Sequence, residues 1–154
     1  MLIKQVKMKK IDNYYEIFKP ELTPKQMLAF GVFGGSYLGD TIYEYPKSWF
    51  TNAKLSKTYD ATLNYFQIRA GLSLKKWKEK RWIMQEDPRG WFQWYCRYFN
   101  GRRIPEIDRI QISRWKSFGP RHIGGIKKNC PKKFFSCRKK QRQALLQWAY
   151  NPFF

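Results

Sequence analysis

Carboxylates and histidine are scarce in this chain, which carries 11 Asp and Glu against 31 Lys and Arg, and one histidine, His122. A single imidazole with no acidic neighbour in sequence leaves no oriented base for a Ser or Cys nucleophile. Long apolar runs are absent too, and no stretch approaches the roughly 18 residues that cross a membrane. The first ten residues contain no sustained apolar segment, so no secretory signal is expected. They also lack Arg and Ser and soon meet Asp12 and Glu16, which speaks against a transit peptide. Cysteine is limited to Cys96, Cys130 and Cys137, an odd number that does not suggest a secreted disulfide scaffold. These absences together point to an intracellular, reducing location. The glycine-rich stretch 31–35 lacks the Lys-Ser/Thr ending of a phosphate loop. The aromatic motif of RNA-recognition domains, the homeodomain signature and paired zinc-finger spacings are missing as well.

What remains is charge and aromatic mass. The formal net charge is +20. Residues 1–72 hold 10 basic and 6 acidic side chains, whereas residues 73–154 hold 21 and 5. Charge of this size and sign selects an anionic partner, nucleic acid before others, and says nothing of fold. A basic disordered tail is excluded by 7 Trp, 10 Tyr and 12 Phe, 19% of the chain. That content supplies a core of sizeable volume for a domain of this length. Most of these rings are expected inside; a few interleaved with the basic residues are candidate stacking platforms for bases.

The pattern predicts a mainly α fold, one compact helical domain with an aromatic-rich core and long irregular loops. Residues 1–20 read as an N-terminal arm, with a short edge strand possible at 2–8, and residues 21–154 as the domain. Thr23-Pro24-Lys25-Gln26 forms a capping box with proline in the first turn, opening a helix that should run to Gly34-Gly35. Residues 46–50 suggest one helical turn, and Ser73 a cap for a helix over 74–81. Asp87-Pro88 suggests the cap of the clearest helix, in which Trp91, Trp94, Tyr95, Tyr98 and Phe99 repeat at helical spacing. Another helix is predicted from Pro105 to before Gly119-Pro120, then a short one over 121–129 broken by Gly124-Gly125. A last helix is predicted over 136–150, stopped by Asn151-Pro152. The helix at 74–81 is too short to anchor the chain on an anionic membrane alone.

Two stretches, Asp87-Pro-Arg-Gly-Trp-Phe-Gln-Trp-Tyr-Cys-Arg-Tyr-Phe-Asn-Gly-Arg-Arg103 and Arg138-Lys-Lys-Gln-Arg-Gln-Ala-Leu-Leu-Gln-Trp-Ala-Tyr150, resemble a widespread family of small, basic, Trp-rich proteins. Gly34-Gly35, Tyr37, Asp40 and Pro46 to Phe50 fall in the same pattern. The resemblance spans roughly residues 30–150 and implies one domain; the family is uncharacterised, so it implies no activity, ligand or residue role.

The last helix places Arg138, Lys139, Lys140 and Arg142 in its first turns, where the helix dipole already puts partial positive charge. An anion there would be met by free N–H groups and cations together. With Arg102, Arg103, Lys127 and Lys128, these residues form the expected contacts to backbone phosphates of DNA or RNA, as in a structural component of a nucleoprotein assembly. Cys96, His122, Cys130 and Cys137 would together make a Cys₃His zinc site. The spacing of Cys130 and Cys137 is wider than the common ligand gap, and a disulfide between them or unlinked thiols are the alternatives. Asp40, in the aromatic loop 37–50, is a weak catalytic candidate. It supports an alternative, a small nucleic-acid-modifying or repair enzyme of glycosylase or nuclease type whose aromatic loop takes a flipped base.

Overall fold

A computed structural model describes residues 13–154. The edge strand or arm expected at residues 2–8 lies outside the described residues. A helical segment over 13–17 leads to Phe18, whose ring is the hub of the core. Its centroid lies 5.4 Å from Trp94, 5.2 Å from Tyr98 and 5.0 Å from Trp115. The last part of the expected arm is therefore core. The fold is mainly helical, and among the described residues there is no strand, only an isolated bridge between Met84 and Asp87.

Helix α1, Pro24–Phe30, starts as the sequence predicts. Thr23 Oγ1 accepts from the Gln26 amide, and Gln26 Oε1 accepts from the Thr23 amide. It ends earlier than expected, at Gly31, with φ 110°; Gly34 and Gly35 belong to a separate 3₁₀ turn, Phe33–Gly35. Further 3₁₀ turns follow at Gly39–Glu44, Lys47–Phe50 and Ala61–Leu63.

This irregular stretch still needs partners for its backbone groups. Three buried amides supply them. Asn64, 1% exposed, accepts from the Gly34 amide and donates to the Ile68 carbonyl. Gln143 accepts from the Phe66 amide and donates to the Gly31 carbonyl. Gln147 accepts from the Phe33 amide and donates to the Ala70 carbonyl. The two glutamines thus do for the loops what a neighbouring strand does in a sheet.

Helix α2, Leu74–Glu79, is capped by Ser73, whose hydroxyl accepts from the Lys76 amide. Helix α3, Trp91–Phe99, carries the expected apolar repeat, but its burial is wider than one stripe. Residues 91–96 are all buried, including Gln93 and Cys96, while Phe99 is exposed. Its cap is Gly90, not Asp87. Asp87 is 0% exposed and accepts instead from Arg97 and Arg102, because two guanidiniums from the far end of the helix satisfy it better than amides would.

Helix α4 corrects the two-helix expectation. It runs unbroken over Pro105–Asn129, through Pro120 and the Gly124-Gly125 pair. Proline costs a helix its i−4 hydrogen bond, yet burial of Ile112 and Trp115 on one side of Pro120 and Ile126 on the other keeps the helix continuous across it. Gly119 lies against the Tyr150 ring, which stacks on Trp115 at 4.8 Å, and a Cβ there would fall on that ring. The last helix, α5, is Lys139–Gln147 and packs on α4.

Candidate nucleic-acid interface

The end of α4 and the start of α5 are tied by a disulfide between Cys130 and Cys137, with Cα atoms 5.8 Å apart. Lys127 and Lys128 precede the first cysteine, Lys132 and Lys133 lie in the closed loop, and Arg138, Lys139 and Lys140 follow the second. All seven are exposed. Among the described residues none of them is within ion-pair reach of a carboxylate; the ion pairs fall on Lys76, Arg89, Arg97 and Arg102 instead. Arg138, the N-cap of α5, has left-handed backbone (φ 58°, ψ 43°), and its side chain caps nothing. The first turn of α5 contains no acidic residue. Cations and helix dipole therefore reinforce one another in one lobe. Phe134, 56% exposed, sits in the same loop and was not singled out by sequence.

Arg142 does not belong to this surface. It is 0% exposed, and its guanidinium donates to the backbone oxygens of Cys137, Pro152, Phe154 and Phe134 at 2.8, 2.6, 3.2 and 3.4 Å. A phosphate cannot reach it, so it is corrected from a phosphate contact to a clamp on the C-terminal segment. Arg102 is committed as well, through two hydrogen bonds to the buried Asp87 carboxylate at 2.9 and 2.6 Å. Arg103 remains exposed; its guanidinium lies 3.5 Å over the Tyr98 ring and donates to the Tyr98 carbonyl.

The four zinc candidates do not come together. Cys130 and Cys137 are spent on each other, since a disulfide sulfur is not a thiolate ligand. Cys96 is buried inside α3, where burial pushes its thiol up. His122 stacks on Phe118 at 4.3 Å on α4. Among the described residues no group of three or more His, Cys, Asp or Glu could hold a metal. Disulfides persist mainly in oxidising surroundings, so this bond lends no support to the expected reducing compartment.

Asp40 is an exposed carboxylate paired with Arg89 at 2.8 Å. The aromatic loop that holds it is largely packing: Tyr45 and Trp49 are buried and stack at 5.1 Å, and only Tyr43 is fully in solvent. Neither feature favours the enzymatic alternative. No helix among the described residues is long and apolar enough to cross a membrane.

Two groups set an acid response. The Arg97 hydrogen bond holds the Glu44 carboxyl below its ordinary value. Burial, helped by Arg121, holds the His122 imidazole below its own. Both are depressed in the fold, so both contribute stability above their unfolded values that is lost as pH falls. The melting temperature is expected to fall first below about pH 6.5 and again below about pH 4.5. Thermal unfolding followed by circular dichroism checks this, and His122→Gln should remove the first step alone.

No family model, curated protein or solved structure matches this chain.

Proposed function

We propose that this protein binds nucleic acid, DNA or RNA, through its backbone phosphates, as a structural component of a nucleoprotein assembly. The observation that carries the proposal is the lobe around the Cys130–Cys137 bond, where seven exposed cations stand without a carboxylate partner among the described residues. Self-repulsion of this kind is unfavourable in isolation, and a polyanion relieves it. Lys127, Lys128, Arg138, Lys139 and Lys140 supply point charges and forks for phosphate oxygens, with Arg103 as an outlying contact. The sequence carries no RNA-recognition aromatic motif, homeodomain signature or paired zinc-finger spacing, so binding is expected to be largely indifferent to sequence.

The test is salt dependence. Each neutralised phosphate contributes a log–log slope of about 0.9 on duplex DNA. Removing Arg138, Lys139 and Lys140 together is expected to lower the slope by roughly 2–3 and to weaken all sequences about equally. Stability should stay level or rise slightly, because the change also relieves repulsion with the α5 dipole. Fluorescence polarisation across a salt series measures the first effect and urea unfolding the second. Loss of folding with an unchanged slope would make the cluster a structural element and end the proposal.

A further inference from the structure

Away from the basic lobe, a cleft of about 360 Å³ opens between the 33–37 turn, the 69–77 segment, residues 89–92 and the C-terminal end of α5. Its walls are aromatic, with Tyr37, Tyr59, Trp77, Phe92 and Trp148 among them. Leu72 and Leu74 also line it, 49% and 41% exposed, so apolar surface stands open to solvent there. Two arginines line it and, among the described residues, no carboxylate does. Arg89 shares its charge with Asp40. Arg69 lies 3.9 Å over the Tyr59 ring, and among the described residues it has no ion-pair partner.

Aromatic walls select a flat, polarisable group, and Arg69, a guanidinium with no ion-pair partner among the described residues, selects an anion attached to it. The volume lies near the lower end of ligand sites, about 300–1,000 Å³, which suits a single ring system with a small anionic group rather than a stack. α5 links this cleft to the lobe. Arg138 precedes its first residue, and Gln147 and Trp148 at its other end line the cleft. At about 1.5 Å per residue the two lie on the order of 13 Å apart along the helix, within the reach of a few nucleotides of strand.

We propose that this cleft takes one unstacked nucleobase, its ring against Trp77 and its phosphate on Arg69. As part of a bound single strand, the proposal rests on the lobe reading above; as a site for a free nucleotide it does not. Single strands are then favoured over duplex at this site, because a paired base cannot enter.

The experiment compares the wild type with Arg69→Gln and Trp77→Ala, each first shown to unfold cooperatively. A labelled short single strand and the matching duplex are titrated by polarisation. Adenosine monophosphate, adenosine and inorganic phosphate are titrated by intrinsic tryptophan fluorescence, since Trp77, Trp91 and Trp148 line the cleft. Both variants are expected to weaken the single strand and adenosine monophosphate by roughly tenfold and to leave the duplex unchanged. Arg69 is exposed, so its variant remains informative should Trp77→Ala fail to fold. Unchanged single-strand and mononucleotide affinity in Arg69→Gln overturns the cleft proposal while leaving the lobe reading intact. So does adenosine binding as tightly as its monophosphate. Mononucleotide binding without any strand or duplex binding supports the cleft as a free-nucleotide site and defeats the lobe reading alone. Absence of all binding defeats both.

Discussion

Replacing Arg142 with alanine is expected to cost on the order of 3–5 kcal/mol of stability. Hydrogen bonds from a charged donor contribute about 1.5–3 kcal/mol each, less than additively when they share a side chain. Arg142 makes four, to the backbone oxygens of Cys137, Phe134, Pro152 and Phe154, and its removal strands those acceptors beside an empty space. Arg142→Lys keeps the charge and loses the planar fork that reaches four directions, so it should recover only part of the loss. Urea unfolding measures both. A folded Arg142→Lys protein should show the wild-type salt slope on duplex DNA, because its side chain touches no phosphate. A loss below about 1 kcal/mol for the alanine variant, the range of surface changes, would return Arg142 to the surface set.

Trp94→Ala is expected to cost roughly 3–5 kcal/mol, the range for deleting a large buried ring. Trp94 is 0% exposed and packs against Phe18, Trp91 and Tyr98. Its indole N–H donates to Asp108 Oδ1 at 2.8 Å, and the other oxygen of that buried carboxylate accepts from Tyr15 and from the Ile104 amide. The substitution therefore opens a cavity and removes one donor from a buried charge. Trp94→Phe helps to separate the two effects: it retains most of the ring volume and loses the donor, with an expected cost of about 1–3 kcal/mol for the unsatisfied carboxylate and a smaller loss from packing. Denaturant unfolding at constant m-value distinguishes the two variants. Near-equal losses would place the energy in the Asp108 hydrogen bond rather than in packing.

Much of the local structure was legible in advance because its causes are local. The capping box at Thr23 and Gln26, the Ser73 cap and the aromatic repeat of α3 each need residues within one or two turns of each other. The breaks in α4 were misread for the same reason. Proline and paired glycines lower helix propensity locally, but Ile112, Trp115 and Ile126 are buried on both sides of them, and tertiary packing outweighs a propensity of a few kcal/mol. Asp87 looked like a cap because it precedes a proline; its guanidinium partners, 10 and 15 residues later, carry no local signal.

Composition and pattern by themselves determined the helical class, the aromatic core and the excess of positive charge in the second half, since these follow from residue type and spacing. Only the tertiary structure decided which cations are free. Arg138, Lys139 and Lys140 face solvent, whereas Arg142, in the same basic run, is enclosed by backbone oxygens, and Arg102 is held by Asp87. It also decided that Gln143 and Gln147 pin loops more than 70 residues away, and that Cys130 and Cys137 meet each other and not His122. The physical reason is that a polar group's role is set by what it faces once water is removed. That neighbour is supplied by chain distant in sequence, where no spacing rule reaches.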